Sequence, residues 1–212
     1  MMNDQISLTE LEHDALTELV NIGVSRAASS LRKMIGEEVL LSVPSIEIMA
    51  PHHAARLIGE RETDDLVAIQ QRFEGAFSGR ALLIFPEATG LDLTKAIIGN
   101  DVPPDEVAAM EQEALAETGN IILNGCLATM ANMLKRSLSI SLPEVIRGDG
   151  TRLFTLEHNQ PDDGLVLFLY INFSIRNRDI RGYIAMLMDL PSLAALKELI
   201  ASFIDRVIGD EA

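Results

Sequence analysis

Apolar and polar residues along this chain recur in two periods, and Gly and Pro mark the points where one period gives way to the other. From Ser7 to Ile35 the residues Leu11, Ala15, Leu19, Ile22 and Arg26 return at helical spacing, as do Leu16, Val20, Ala27 and Leu31. The stretch opens on Ser7-Leu-Thr-Glu10, which reads as a capping box, and stops at Gly36, so one long helix is predicted. Gly23 inside it costs about 1 kcal/mol of helix propensity and leaves room for another backbone to come close. Val39–Val43 predicts a short strand ended by Pro44, with Ile46–Met49 continuing apolar. Leu66–Phe73 and Phe77–Phe85 predict two strands around a Glu74-Gly75 turn, and Pro86–Ile98 a helix closed by Gly99-Asn100.

The same order then returns. Pro103-Pro104-Asp105 opens a helix whose apolar pattern runs through Met110, Leu115, Ile121, Leu123, Leu127, Met130 and Leu134. Ser137–Leu142 predicts a strand ending at Pro143. Leu165–Ile175 and Ile180–Met188 predict a hairpin around residues 176–179, and Pro191–Ile208 a closing helix. Phe77–Phe85 also resembles Ile180–Met188, with Gly79 opposite Gly182. The expected fold is therefore α+β and internally duplicated, with pseudo-two-fold symmetry. Long helices are expected on a central, mostly antiparallel sheet. The repeats are placed at about 7–100 and 103–208 of a single domain spanning 1–212, joined at Asn100–Asp105. Pro51–Asp65, with His52-His53, and Gly148–Gly164 read as less structured surface stretches.

Composition narrows the function classes. Of 212 residues, 48% are hydrophobic and 23% charged, which is ordinary for a globular chain. With 4% aromatics and no Trp, the core must come from Leu, Ile, Val, Ala and Met. No apolar run reaches the roughly 18 residues that span a bilayer. Met1–Glu12 carries Asp4, Glu10 and Glu12 and lacks a basic and then apolar start, so a cytoplasmic location is expected. A net charge of −15 argues against nucleic acid and anionic membrane as partners. The one cysteine, Cys126, lies among Leu123, Leu127 and Met130 and reads as a buried small hydrophobe. No His/Cys set has metal-ligand spacing, so no cofactor of the chain's own is expected.

A spaced polar set departs from these patterns. Asp14, Glu18, Asn21 and Pro44 are followed, each 99 residues on, by Glu113, Glu117, Asn120 and Pro143 (113 − 14, 117 − 18, 120 − 21, 143 − 44). Positions i, i+4 and i+7 of a helix fall within about 60° of one another, so each set predicts a narrow polar stripe. Asn is a poor mid-helix residue, and its return at the same spacing beside Glu points to a role beyond solvation. A carboxamide both donates and accepts, so it can orient a water, while the Glu can anchor a partner's cation or serve as base. Without a nucleophile, phosphate loop or metal set, such a pair suits hydrolysis of an electrophile supplied by another molecule. Phosphoryl transfer fits, because it is largely the positioning of an in-line water.

The pattern Asp14-x3-Glu18-x2-Asn21-x22-Pro44, with Glu113-x3-Glu117-x2-Asn120-x22-Pro143, is similar to the signature of the CheC/FliY/CheX family of chemotaxis phosphatases. Residues Glu18–Gly23 and Glu117–Ile122 also look like that family, and the resemblance runs from about residue 7 to 207. Two motif copies with no added domain resemble the CheC-like arrangement within it. The resemblance implies dephosphorylation of a phosphorylated CheY-type receiver, whose phosphoaspartate, Mg2+ and lysine lie on that partner. Glu18 and Glu117 would engage the lysine, and Asn21 and Asn120 would orient the water. The deamidase CheD is implied as a further partner. The alternative is a non-catalytic adaptor binding CheY, CheD or the flagellar switch. Glu113 stands where the family has Asp or Ser.

Overall fold

Helix α1 (Glu10–Ile35) begins where two side chains cap each other: Glu12 N–H donates to Thr9 Oγ1 at 3.3 Å, and Thr9 N–H donates to Glu12 Oε2 at 2.7 Å. The capping box is thus Thr9–Glu12 and not Ser7–Glu10. That choice gives the buried Glu12 carboxylate a backbone donor beside Lys197 Nζ, which lies 3.7 Å from the same Oε2. Gly36 ends the helix at φ 75°, its N–H donating to Arg32 O at 2.9 Å. Leu16, Leu19, Val20, Gly23, Val24, Ala27, Ala28 and Leu31 form its buried face.

The structure, a computed structural model, describes residues 7–63, 65–99, 102–155, 164–175 and 178–210. Five sequence readings fall partly outside these residues: 1–6 of the Met1–Glu12 segment, 64 of the Pro51–Asp65 stretch, the middle of the joint at 100–101, 156–163 of the Gly148–Gly164 stretch, and 176–177 of the hairpin turn.

After α1 come β1 (Val39–Met49), α2 (Pro51–Arg61), β2 (Leu66–Gly75), β3 (Gly79–Pro86) and α3 (Glu87–Ile98). The second half supplies α4 (Pro104–Met133), β4 (Leu138–Ile140), β5 (Glu144–Gly148), α5 (Gly150–Phe154), β6 (Leu165–Ile175), β7 (Arg178–Met188) and α6 (Leu190–Asp210). Pro51–Arg61 is a helix, contrary to the loop expected there. Pro51 occupies its first turn, where a missing N–H is tolerated, and Ala54 and Ile58, one and two turns later, are buried. Strand β5 was also unforeseen, because β4 and β5 are one strand interrupted at Ser141–Pro143.

All strands pair antiparallel in one sheet ordered β1-β6-β7-β3-β2-β4, with β5 also on β2. Exchanging the halves turns this order into its own reverse. Apolar residues of α1, α3, α4 and α6 cover one face together with Val67, Ile69, Phe73, Leu167 and Leu169. Helices α2 and α5 cover the other face through Ala54, Ile58, Leu153 and Phe154. Two glycines set the helix layer close. A Cβ on Gly23 would lie 2.8 Å from Cys126 Cα on α4, and one on Gly119 would run into the Ile69 side chain of β2.

The halves are not superimposable at the rims. In the middle of the sheet Gly79 pairs with Phe73 and Gly182 with Ile171, so Phe73 and Ile171 correspond. Ser42 pairs with Asn172, one residue after Ile171. Its counterpart Ser141 instead donates to Arg72 O at 2.9 Å, one residue before Phe73. The outer strand of the second half is therefore slid two residues along its neighbour. A slide of two preserves which side chains face the helices, so the core tolerates it.

Candidate functional site

Both predicted stripes exist, and in both the acidic members are exposed while the Asn turns inward. On α1, Asp14 and Glu18 face solvent and Asn21 is half-buried; on α4, Glu113 and Glu117 face solvent and Asn120 is half-buried. His13 Nδ1 lies 3.8 Å from Asp14 Oδ1, and His13 Nε2 is 3.0 Å from Ile46 O of β1. Beside Glu18 and Asn21 a shallow groove of about 350 Å³ runs along α1, lined also by Ile22, Ser25, Arg26 and Ser29.

The motif's Asn and Pro meet in space at the first copy. Pro44 has no N–H, and the β1–β6 ladder shifts register between Ser42 and Ser45. Val43 is left inside that break with its peptide groups turned to α1. Asn21 Oδ1 accepts from Val43 N–H at 2.8 Å, and Asn21 Nδ2 donates to Val43 O at 3.0 Å. The second Nδ2 hydrogen goes to Thr17 O at 3.1 Å, one turn back on α1. Both hydrogens of the Asn21 amide are thus committed inside the protein.

At the second copy the arrangement differs, because the slid outer strand presents different atoms. Asn120 Oδ1 accepts from Asn124 Nδ2 at 2.6 Å and from Gln71 Nε2 of β2 at 3.1 Å. Gln71 Nε2 also donates to Ser141 O at 2.8 Å, beside the break at Pro143. Among the described residues Asn120 Nδ2 has no hydrogen-bond partner. Leu142 is 85% exposed, whereas its counterpart Val43 is 2% exposed. The structure therefore brings together Glu18 with Asn21 and Glu117 with Asn120, each pair one helical turn apart. Pro44 and Pro143 interrupt the strand beneath each.

Sequence reading missed Thr17, Val43, Gln71, Asn124 and Ser141. For Gln71 a signal was present. Val67, Ile69, Gln71 and Phe73 share one parity of a strand, so an amide stands in an otherwise apolar row. Elsewhere, Cys126 is fully buried and burial pushes its thiol up to about 12, which leaves it protonated and unreactive in the folded chain. His52 and His53 lie together at the start of α2, ring centroids 4.2 Å apart. Among the described residues no three His, Cys, Asp or Glu side chains gather in a way that could hold a metal ion. No described helix is long and apolar enough to cross a membrane.

Comparison with known proteins places both copies. The CheC-like family model matches residues 11–48, which hold Glu18, Asn21 and Pro44, and the model described as chemotaxis phosphatase CheX matches residues 67–164, which hold Glu117, Asn120 and Pro143. The chain belongs to the CheC/FliY/CheX family.

The flagellar motor switch phosphatase FliY of Bacillus subtilis (strain 168) is 23% identical over 96% of this chain and 52% of its own length. The chain thus spans about half the length of that relative. The CheY-P phosphatase CheC of the same organism is 27% identical over 65% of the chain and 67% of the relative. Among solved structures, Thermotoga maritima FliY superposes with a TM-score of 0.70 at 15% identity, covering 93% of this chain and 100% of that one. That likeness establishes the fold.

Proposed function

We propose that this chain accelerates hydrolysis of the aspartyl phosphate on a CheY-type receiver domain, using Glu117 with Asn120 and, to a smaller extent, Glu18 with Asn21. The observation that carries the reading is Asn120. Its oxygen is held from two sides and its amino group is free, one turn from the exposed Glu117. The amino group donates to the oxygen of an attacking water and leaves the water's other lone pair for phosphorus. Glu117 holds the receiver's lysine and so sets the distance between the helix and the phosphoryl group. Mg2+ bound by the receiver neutralises charge on the phosphoryl oxygens. The chain supplies no nucleophile and needs none. The names of its relatives, CheY-P phosphatase and flagellar motor switch phosphatase, support this assignment.

The two sites are unequal in this reading. Asn21 has both amide hydrogens committed to Thr17 O and Val43 O, so it offers less to a water than Asn120 does. That commitment favours a second reading for the first site alone, a docking face that holds a receiver, CheD or a flagellar-switch protein without catalysis. We also read the two halves as copies of one unit, a reading supported by the strand order that is its own reverse.

The test is the rate of phosphate loss from a phosphorylated CheY-type receiver mixed with the protein. Wild type accelerates it, Asn120→Ala removes about tenfold or more of the gain, and Asn21→Ala with Asn120→Ala removes it all. A wild-type protein that binds the receiver and leaves its phosphate lifetime unchanged supports the adaptor at both sites. Adding CheD to the same assay reads out whether that protein competes for either face.

A further inference from the structure

Gln71 is the one described residue with a fully buried side-chain polar atom lacking any hydrogen-bond partner: its Oε1 is enclosed and unpaired. A buried unpaired carbonyl is unfavourable and calls for an explanation. The other half shows that the fold does not require an amide at this place. Gln71 pairs with Ala81, two residues after Gly79; the residue two after Gly182 is Ile184, which pairs with Leu169. Leu169 is fully buried on the same face of the sheet, so the corresponding position is filled by a plain apolar side chain.

What Gln71 does with its other end explains its presence. Ser141 O is a backbone carbonyl and can only accept, so the end of the Gln71 amide that faces it at 2.8 Å must be Nε2. The same Nε2 reaches Asn120 at 3.1 Å, so the Asn120 atom facing it must be the acceptor Oδ1. The amino group of Asn120 then points the other way. A carboxamide is nearly symmetric in shape, and without a neighbour of defined polarity it can present either end. At the first copy Val43 N–H and O do this job directly; at the second, where the outer strand is slid by two residues, no described backbone group bonds the Asn120 side chain and Gln71 relays the polarity of Ser141 O.

We infer that Gln71 is a positioning residue of the second site, fixing the Asn120 carboxamide with its amino group outward. The inference rests on the phosphatase reading for its consequence in rate, but the orientation itself can be measured apart from catalysis. In Gln71→Leu the leucine reproduces what the other half carries at Leu169, and Asn120 keeps Asn124 as its only donor. In Gln71→Glu a protonated carboxyl still donates, whereas an ionised one cannot. Burial holds that carboxyl above the usual range, so the variant passes from donor to acceptor within accessible pH.

The experiment uses the full chain with Glu18→Ala, so that the first site is silent, and a phosphorylated CheY-type receiver as substrate. Gln71→Leu is expected to lower kcat about tenfold with KM changed less than twofold. Gln71→Glu is expected to lose activity, relative to its Gln71 parent, as pH rises. In parallel, the ¹⁵N side-chain amide signals of Asn120 are expected to shift and broaden in Gln71→Leu. Unchanged kcat in Gln71→Leu with a flat relative pH profile in Gln71→Glu overturns the inference. So does an inactive Glu18→Ala protein beside an active wild type, since the second site then does no work. If wild type itself leaves the phosphate lifetime unchanged, the phosphatase reading falls, and the Asn120 signals alone decide: unchanged signals in Gln71→Leu overturn the positioning role. Should Gln71→Leu fail to fold, the pH profile and amide signals of Gln71→Glu decide in the same way.

Discussion

Asn21 and Val43 are 22 residues apart in sequence and exchange two hydrogen bonds, Val43 N–H to Asn21 Oδ1 at 2.8 Å and Asn21 Nδ2 to Val43 O at 3.0 Å. A side chain of α1 thereby acts as the ladder partner that β1 lost at Pro44. Removing it strands both peptide groups of a buried residue. Asn21→Ala is expected to lower stability by about 1–3 kcal/mol, read from urea unfolding. Asn120→Ala is expected to lower it less, because Ser141 O keeps its bond from Gln71.

Val43 and Leu142 hold matched places in the two motifs and opposite environments. Val43→Ala opens space in the core and is expected to cost about 1–3 kcal/mol. Leu142→Ser is expected to change unfolding free energy by no more than about 0.5 kcal/mol. On the proposed function, Leu142, an exposed apolar side chain next to Ser141, is expected to contact the docked receiver. Its loss is expected to raise KM in the phosphatase assay with kcat held.

Gly119 lets α4 lie against Ile69 of β2 immediately before Asn120. A methyl group there pushes the helix outward or forces Ile69 off its rotamer. Gly119→Ala is expected to cost about 1–3 kcal/mol of stability. It also displaces Asn120 from Gln71, so activity at saturating receiver should fall while Glu117 remains available to bind. Measuring kcat and KM on the folded fraction separates the two effects.

Cys126 gives a pH dependence with a defined sign. Burial raises its thiol from 9.0 to about 12 in the folded chain, while the unfolded chain releases that proton around pH 9. The stabilising difference is complete below pH 9 and is lost as pH rises from 9 towards 12. Unfolding measured across that window is expected to show a steeper decline for wild type than for Cys126→Ala. At neutral pH, alkylation of Cys126 should proceed only as fast as the chain opens.

Much of this was legible in the linear chain because it depends on local periodicity. The apolar faces of α1 and α4, the Gly36 stop, the β2–β3 hairpin and the closing helix all follow from spacing and turn residues. Helix α2 was hidden by its charge and its His pair, since only Ala54 and Ile58 anchor it and two positions make a weak pattern. Strand β5 was hidden because Pro143 looked like an end when it is an interruption.

By itself, then, the sequence determined the α+β class, the order helix, strand, hairpin, helix in each half without α2, β5 and α5, and the two Glu/Asn sets at equal spacing. These are consequences of side-chain periodicity, which acts within a helix or strand. Only the tertiary structure decided that the two Asn side chains have different hydrogen-bond partners. The two-residue slide of β4 and β5 along β2 moves which peptide groups lie beneath each Asn, and register between distant strands is settled by packing across the sheet. That slide leaves Asn21 bound to Val43. It also leaves Asn120 oriented through Gln71, with its amino group free.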